Sequence, residues 1–258
     1  MKKFMFLLFI LITGVAAAET INITWYNEDS TTYDTTTCNV GDTLVLPTAP
    51  TKRGYTFLGW SAYIPLEYIE STGTQYIDNI IKPNKDYSFE IKYKHTVSTG
   101  YQTLFAVYDG ITGYSYGFMA GSASKGNYAY SGNSKTFTLA YDTNTIYTLY
   151  YDGVNKKVYR NGTEIVNFSD LPGFSGTTGV APRLFQMISG EHYSGSFNYP
   201  FKGYAYGFKV YDDNNIIVRD LVPVKRNSDN AIGMYDIVSG QFFTNAGTGD
   251  FIAGPVIE

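Results

Sequence analysis

Tyr101, Tyr108, Tyr114, Tyr116, Tyr128, Tyr130 and Tyr193 stand in stretches rich in Gly, Ser and Asn. Tyrosine supplies rigid amphipathic area and its small polar neighbours supply adaptable hydrogen bonds, a combination found on recognition surfaces. These seven rings are the candidate ligand-binding residues. The competing reading is that they pack a core, with their hydroxyls at its edge. Three loop acids, Asp109, Asp142 and Asp152, set hard oxygens among loop carbonyls, as calcium requires. Asp also dominates ordinary turns, and no EF-hand loop or Asp-x-Asp run is present. No cofactor is expected; calcium is the one ion for which these acids offer a site.

Residues for catalysis are not arranged for it. Retaining glycoside hydrolysis needs two carboxyls about 5–5.5 Å apart. Glu28 and Asp29 are adjacent and so point to opposite faces of a strand, while Glu90, Glu164 and Glu191 stand alone. His95 and His192 have no local partner at metal-ligand spacing and read as surface or strand residues. Cys38 is the one cysteine, better read as a small apolar residue than as half of a disulfide. Gly247-x-Gly249 has Ile252 where a dinucleotide loop needs its third glycine. No catalytic residue is expected.

The elements that must position these groups are strands. The chain has 25 Tyr, 17 Phe, 26 Gly and only 16% charged residues, which excludes disorder and disfavours a helical bundle. Ile21, Ile23 and Trp25 alternate with polar residues, and so do Phe89, Ile91 and Tyr93. Tyr204, Tyr206, Phe208 and Val210 are expected to share one apolar face in the same way. Asn161-Gly162 between strand-formers predicts a two-residue hairpin, and Asp152-Gly153 predicts a turn. No helical window longer than about two turns is expected.

Lys2 and Lys3, the apolar run Phe4 to Ile12, and Ala16-Ala17-Ala18 read as an export signal over residues 1–18. The run is shorter than the about 20 residues a membrane helix needs, so no membrane span is expected after cleavage. The formal charge is −4, and Lys225-Arg226 is the densest basic group. Nucleic acid is therefore excluded as an expected partner, since phosphates need clustered cations.

The spacing Gly41, Pro47, Pro50, then Gly54-Tyr55-x-Phe57-x-Gly59-Trp60 resembles the Listeria–Bacteroides repeat, or internalin B-type repeat. The resemblance implies a small β-grasp-like unit over residues 19–63, with Trp60 in its core. Tyr147-x-Leu149-x-Tyr151-Asp152-Gly153 followed by Lys157-x-Tyr159-x-Asn161-Gly162 resembles the central hairpins of concanavalin A-like, LamG-like domains. Tyr68 to Asp78 and the ending from Arg219 to Gly249 resemble the same domains in bacterial surface and phage-associated proteins. That implies an all-β protein, with a jelly-roll β-sandwich over 64–258 preceded by the small repeat unit. Ligands in such domains meet rim loops or the concave face, sometimes with calcium. Glucan-cutting enzymes of this fold carry a Glu-x-Asp-x-(x)-Glu strand, which is absent here. The expected function is a secreted or cell-surface bacterial protein that binds a glycan or a surface protein. A purely structural surface component and a glycoside hydrolase with an unrecognised carboxylate pair are the alternatives.

Overall fold

The computed structural model describes residues 2–12, 20–27, 31–40, 42–51, 53, 55–82, 86–98, 100–108, 115–120, 125–130, 133–138, 142–167, 181–189 and 199–257. For 2–12, 55–61, 107–108, 115–120, 125–130, 133–138 and 187–189 it describes the backbone alone. The chain divides into two compact units. The first takes Met1–Leu66, Val224–Ala231 and Val256–Glu258; the second takes Glu67–Pro223 and Ile232–Pro255.

In the first unit lie β1 (Lys2–Ile12), β2 (Thr20–Tyr26), β3 (Thr32–Asn39), β4 (Tyr55–Ser61) and β5 (Tyr63–Pro65). The first four form one sheet in the order β3-β2-β1-β4, with β1 antiparallel to β2 and parallel to β4. The alternation expected around Trp25 is observed: Ile23 and Trp25 are buried while Thr20 and Asn22 are exposed. Trp25 keeps its one donor satisfied, giving Nε1–H to Thr36 Oγ1 at 2.9 Å. Cys38 is half-buried on β3 and unpaired with any other cysteine. β5 pairs antiparallel with Val224 to Arg226, which is why a segment so distant in sequence belongs to this unit. β1 is the segment read as an export signal. Cleavage after Ala18 would remove it and separate β2 from β4.

The second unit begins with β6 (Ile69–Ser71), β7 (Ser88–His95), β8 (Gln102–Tyr108), β9 (Ser115–Ala120), β10 (Lys125–Tyr130) and β11 (Asn133–Thr138). It continues with β12 (Tyr147–Asp152), β13 (Lys157–Arg160), β14 (Thr163–Asn167), β15 (Arg183–Leu184), β16 (Met187–Ser189) and β17 (Gly203–Tyr211). β18 (Ile217–Arg226, of which Val224 to Arg226 belong to the first unit), β19 (Ile232–Asp236), β20 (Phe242–Thr244) and β21 (Ile252–Ala253) follow. One sheet runs β14-β13-β12-β7-β17-β18-β19-β20, with β6 also on β17 and β21 on β6. Another runs β11-β10-β9-β8-β15, and β16 lies parallel along β8. Phe105 of β8 meets Phe89 of β7 edge-on at 5.3 Å and Phe208 of β17 at 4.8 Å, so the two sheets share an apolar layer. Ile91, Leu149, Tyr151, Val158, Val210 and Leu221 extend that layer along the larger sheet. The fold is an all-β sandwich. No helix among the described residues is long and apolar enough to cross a membrane.

Asn161 (φ 50°) and Gly162 (φ 78°) form the two-residue turn between β13 and β14, as expected from their tolerance of positive φ. Phe89, Ile91 and Tyr93 do share the buried face of β7. The expectation for β17 needs correction. Phe208 and Val210 face the core, but Tyr204 and Tyr206 face outward, and Ala205 takes the inward place. A register shift between Ala205 and Gly207 inserts one extra residue, and one residue reverses the face of everything beyond it.

Candidate functional site

On β12 the inward places go to Leu149 and Tyr151, so the period of two turns Thr148, Tyr150 and Asp152 outward. Cross-strand register then decides their neighbours. Tyr150 stands opposite Glu90 on β7 and Tyr159 on β13, and Tyr159 stands opposite Glu164 on β14. Glu90 in turn faces Lys209 on β17. The result is a groove of about 390 Å³ lined by Glu90, Thr148, Tyr150, Asp152, Tyr159 and Gly162.

Its parts are held firmly. The Tyr150 and Tyr159 rings lie 6.0 Å apart at 32°, and Tyr211 meets Tyr150 edge-on at 6.0 Å. Asn161 accepts the Thr148 N–H on Oδ1 at 2.8 Å and donates its own N–H to the Thr148 carbonyl at 2.8 Å. That pair of bonds fixes the Asn161–Gly162 turn beside Thr148. Asp152 accepts the Asn155 N–H on one oxygen and the Asn155 side-chain amide on the other, each at 2.8 Å. After it, Gly153 passes so close to the Tyr87 carbonyl that a Cβ would lie 2.2 Å from that oxygen. Only glycine fits there without moving backbone. Burial raises the Tyr150 phenol pKa against a Ser88 hydrogen bond that lowers it, and the charges of Asp152 and Glu90 add to the rise. Tyr211 is raised by burial first and by Glu90 second. Glu90 and Asp152 make the groove electronegative, and two nearby lysines are engaged by other carboxylates. Lys157 pairs with Glu164 at 2.8 Å and Lys209 with Asp220 at 3.5 Å. Chemically, the arrangement offers two ring faces and carboxylate acceptors to a flat, hydroxyl-rich ligand.

A smaller notch of about 240 Å³ is lined by Val97, Gly100, Tyr101, Gln102, Pro200 and Lys202. Tyr101 is 44% exposed and packs 5.0 Å from Tyr199. Beneath it, Gln102 donates Nε2–H to the Val97 carbonyl at 3.0 Å and accepts the Lys202 N–H on Oε1 at 2.9 Å. Those two backbone groups fix the amide orientation, so His95 Nδ1, 3.2 Å from the same Oε1, must be the donor. His95 is 1% exposed, and desolvation drives its pKa down to about 4 although the Gln102 bond opposes the fall.

An unfolded histidine binds protons below about 6.5, whereas this one stays neutral until pH falls to about 4. Its burial is therefore tolerated above the unfolded pKa and penalised as pH falls through that window. Denaturant unfolding is expected to show a loss of about 3 kcal/mol between pH 7 and pH 4. His95→Phe is expected to flatten that slope, because Gln102 keeps its Lys202 donor. An unchanged slope in the variant would assign the acid lability to other groups.

Of the expected ligand-binding tyrosines, Tyr101 lies at this notch. Tyr108, Tyr116, Tyr128 and Tyr130 lie on β8, β9 and β10 rather than in loops, and Tyr116 pairs with both Val107 and Tyr130. Their side chains, and Tyr114 and Tyr193 altogether, fall outside the described residues. So do Asp109 and His192, and the side chain of Trp60. Asp142 accepts the Asn144 N–H at 2.7 Å and the Thr145 hydroxyl, which together hold its pKa low. Asp142 and Asp152 thus each cap their own turn. Among the described residues, no group of three or more His, Cys, Asp or Glu is placed to hold a metal.

Residues 22–87 match the model of the Listeria-Bacteroides repeat domain, which reaches well past the Gly59-Trp60 pair. No curated protein matches the chain. Among solved structures, a candidate carbohydrate-binding protein from Bacteroides ovatus ATCC 8483 is 11% identical with a TM-score of 0.52, covering 94% of this chain and 70% of that one. The CBM40 of the Ruminococcus gnavus IT-sialidase, bound to α2,3-sialyllactose, is 22% identical with a TM-score of 0.44, covering 56% and 89%. A heptameric SAP-like pentraxin from Limulus polyphemus is 10% identical with a TM-score of 0.44, covering 74% and 94%. The chain therefore carries a match to the Listeria-Bacteroides repeat domain at 22–87 and shares its fold with the B. ovatus protein.

Proposed function

We propose that this is an exported, surface-held or secreted bacterial protein that binds a glycan on its second unit without cleaving it. The observation that carries the reading is the sheet-face groove, where the adjacent Tyr150 and Tyr159 rings stand beside Thr148, Glu90 and Asp152. Ring faces for stacking beside hydroxyl and carboxylate groups for orientation are what sugar recognition requires. The Listeria-Bacteroides repeat match and the B. ovatus carbohydrate-binding fold support the same reading. The first 18 residues support export by their basic start, apolar run and alanine triplet. The LamG-like assignment of the second unit rests on its hairpin motifs.

Glu90 and Asp152 line one groove, which supports a second reading as a glycoside hydrolase. Both oxygens of Asp152 are already occupied by Asn155, so binding is preferred. The test is a glycan array on the purified protein with and without calcium, followed by a reducing-sugar assay on every hit. Binding without sugar release is expected. Release of reducing ends would establish hydrolysis instead, and no hit in either condition would leave the structural-component reading. Binding only with calcium would assign the ion a role.

A further inference from the structure

We propose that the groove at Tyr150 and Tyr159 is one end of a longer face, reaching to Tyr68, that takes a neutral linear oligosaccharide. This rests on the glycan-binding reading above. The register shift in β17 turns Tyr204 and Tyr206 outward, onto the face that carries the groove. Tyr68 packs against both, at 4.4 Å from Tyr204 and 5.5 Å from Tyr206. Lys94 reaches over the Tyr204 ring at 5.9 Å, and Lys92 over Tyr206 at 5.5 Å.

Lys92 stands opposite Gly207 on one side and Thr148 on the other, so it joins this cluster to the groove. Gly207 and Thr148, on either side of Lys92, have a small side chain or none, which keeps bulk low between the two groups of tyrosines. From β13 through β12, β7 and β17 to β6 are four strand spacings, about 19 Å at about 4.8 Å each. That length exceeds one sugar ring. Charge points to a neutral ligand rather than an acidic one, because Glu90 and Asp152 make the groove end electronegative. Lys157 and Lys209 are paired with Glu164 and Asp220, while Lys94 and Glu70 stand on either side of Tyr204, one from each neighbouring strand. Ammonium donors and carboxylate acceptors together match hydroxyl groups, which both donate and accept.

The test is isothermal titration of the full chain with cello-, chito- and manno-oligosaccharides of two and six units. For the series that binds, the six-unit chain is expected to bind about tenfold more tightly than the two-unit chain. Tyr204→Ala with Tyr206→Ala is expected to bring that ratio toward one. Should thermal melting show the pair unfolded, Lys92→Ala, an exposed side chain, is expected to reduce the same ratio. A ratio near one in the unaltered protein overturns the long face while leaving the groove as a glycan site. No binding by any of the three series overturns both.

Discussion

Asp236→Ala is expected to destabilise the second unit by about 3–5 kcal/mol, the scale for removing several hydrogen bonds to a buried carboxylate. Asp236 is fully buried at the end of β19. One oxygen accepts the Asp220 N–H at 2.8 Å and the Val238 N–H at 3.2 Å; the other accepts the Ser239 hydroxyl at 2.6 Å. Arg219 lies 3.5 Å from that second oxygen. Alanine would leave the Asp220 and Val238 N–H groups and the Ser239 hydroxyl without their acceptor, and unmade bonds cost more than made ones contribute. Arg219 would lose its carboxylate but keep the Ile80 and Val218 carbonyls. The melting temperature is expected to fall by roughly 10 °C. Asp236→Asn keeps an oxygen for the two backbone donors and is expected to lose much less. Equal losses for the two variants would show that the charge, and not the backbone bonds, is what matters.

The second large effect concerns binding. Tyr150→Ala with Tyr159→Ala is expected to weaken the array-identified glycan by about 100-fold, near 2.7 kcal/mol, because two aromatic anchors leave one groove. Replacing both with Phe keeps the faces and removes only the hydroxyls, so a loss below about tenfold is expected. Since Val158, Leu149 and Tyr151 form the opposite, buried face, the outward rings can be removed without opening the core. Titration calorimetry reads both variants. A loss under threefold for the alanine pair would move the binding place elsewhere, with the Tyr101 notch next in line.

The two effects differ in how far the sequence foretold them. Tyr150 and Thr148 could be placed on an outward face once Leu149 and Tyr151 were read as buried, since the period of two is local. That Glu90 would stand beside Tyr150 could not, because the pairing partner lies sixty residues earlier along the chain and register is set by the whole sheet. Asp236 showed only the pattern of an ordinary turn aspartate, bonded to Val238 and Ser239 just beyond it. Its full burial and its bond to the Asp220 N–H arise only after folding. The Gly- and Ser-rich setting that marks Tyr101, now seen lining the smaller notch, also marks Tyr108, Tyr116, Tyr128 and Tyr130, which lie on β8, β9 and β10. Gly and Ser in those strands imitate loop composition.

By itself, the sequence determined the all-β class, the Asn161–Gly162 hairpin and the buried alternation of β7, all of which follow from local propensity and side-chain period. It also determined the repeat signature that the family model matches at 22–87. Only the tertiary structure decided that Tyr204 and Tyr206 face outward, that Val224 to Arg226 return to pair with β5, and that Glu90 meets Tyr150. The physical reason is shared by all three. A strand's own residues say which side chains lie on the same face, but one inserted residue or one distant partner decides which face that is and what stands beside it.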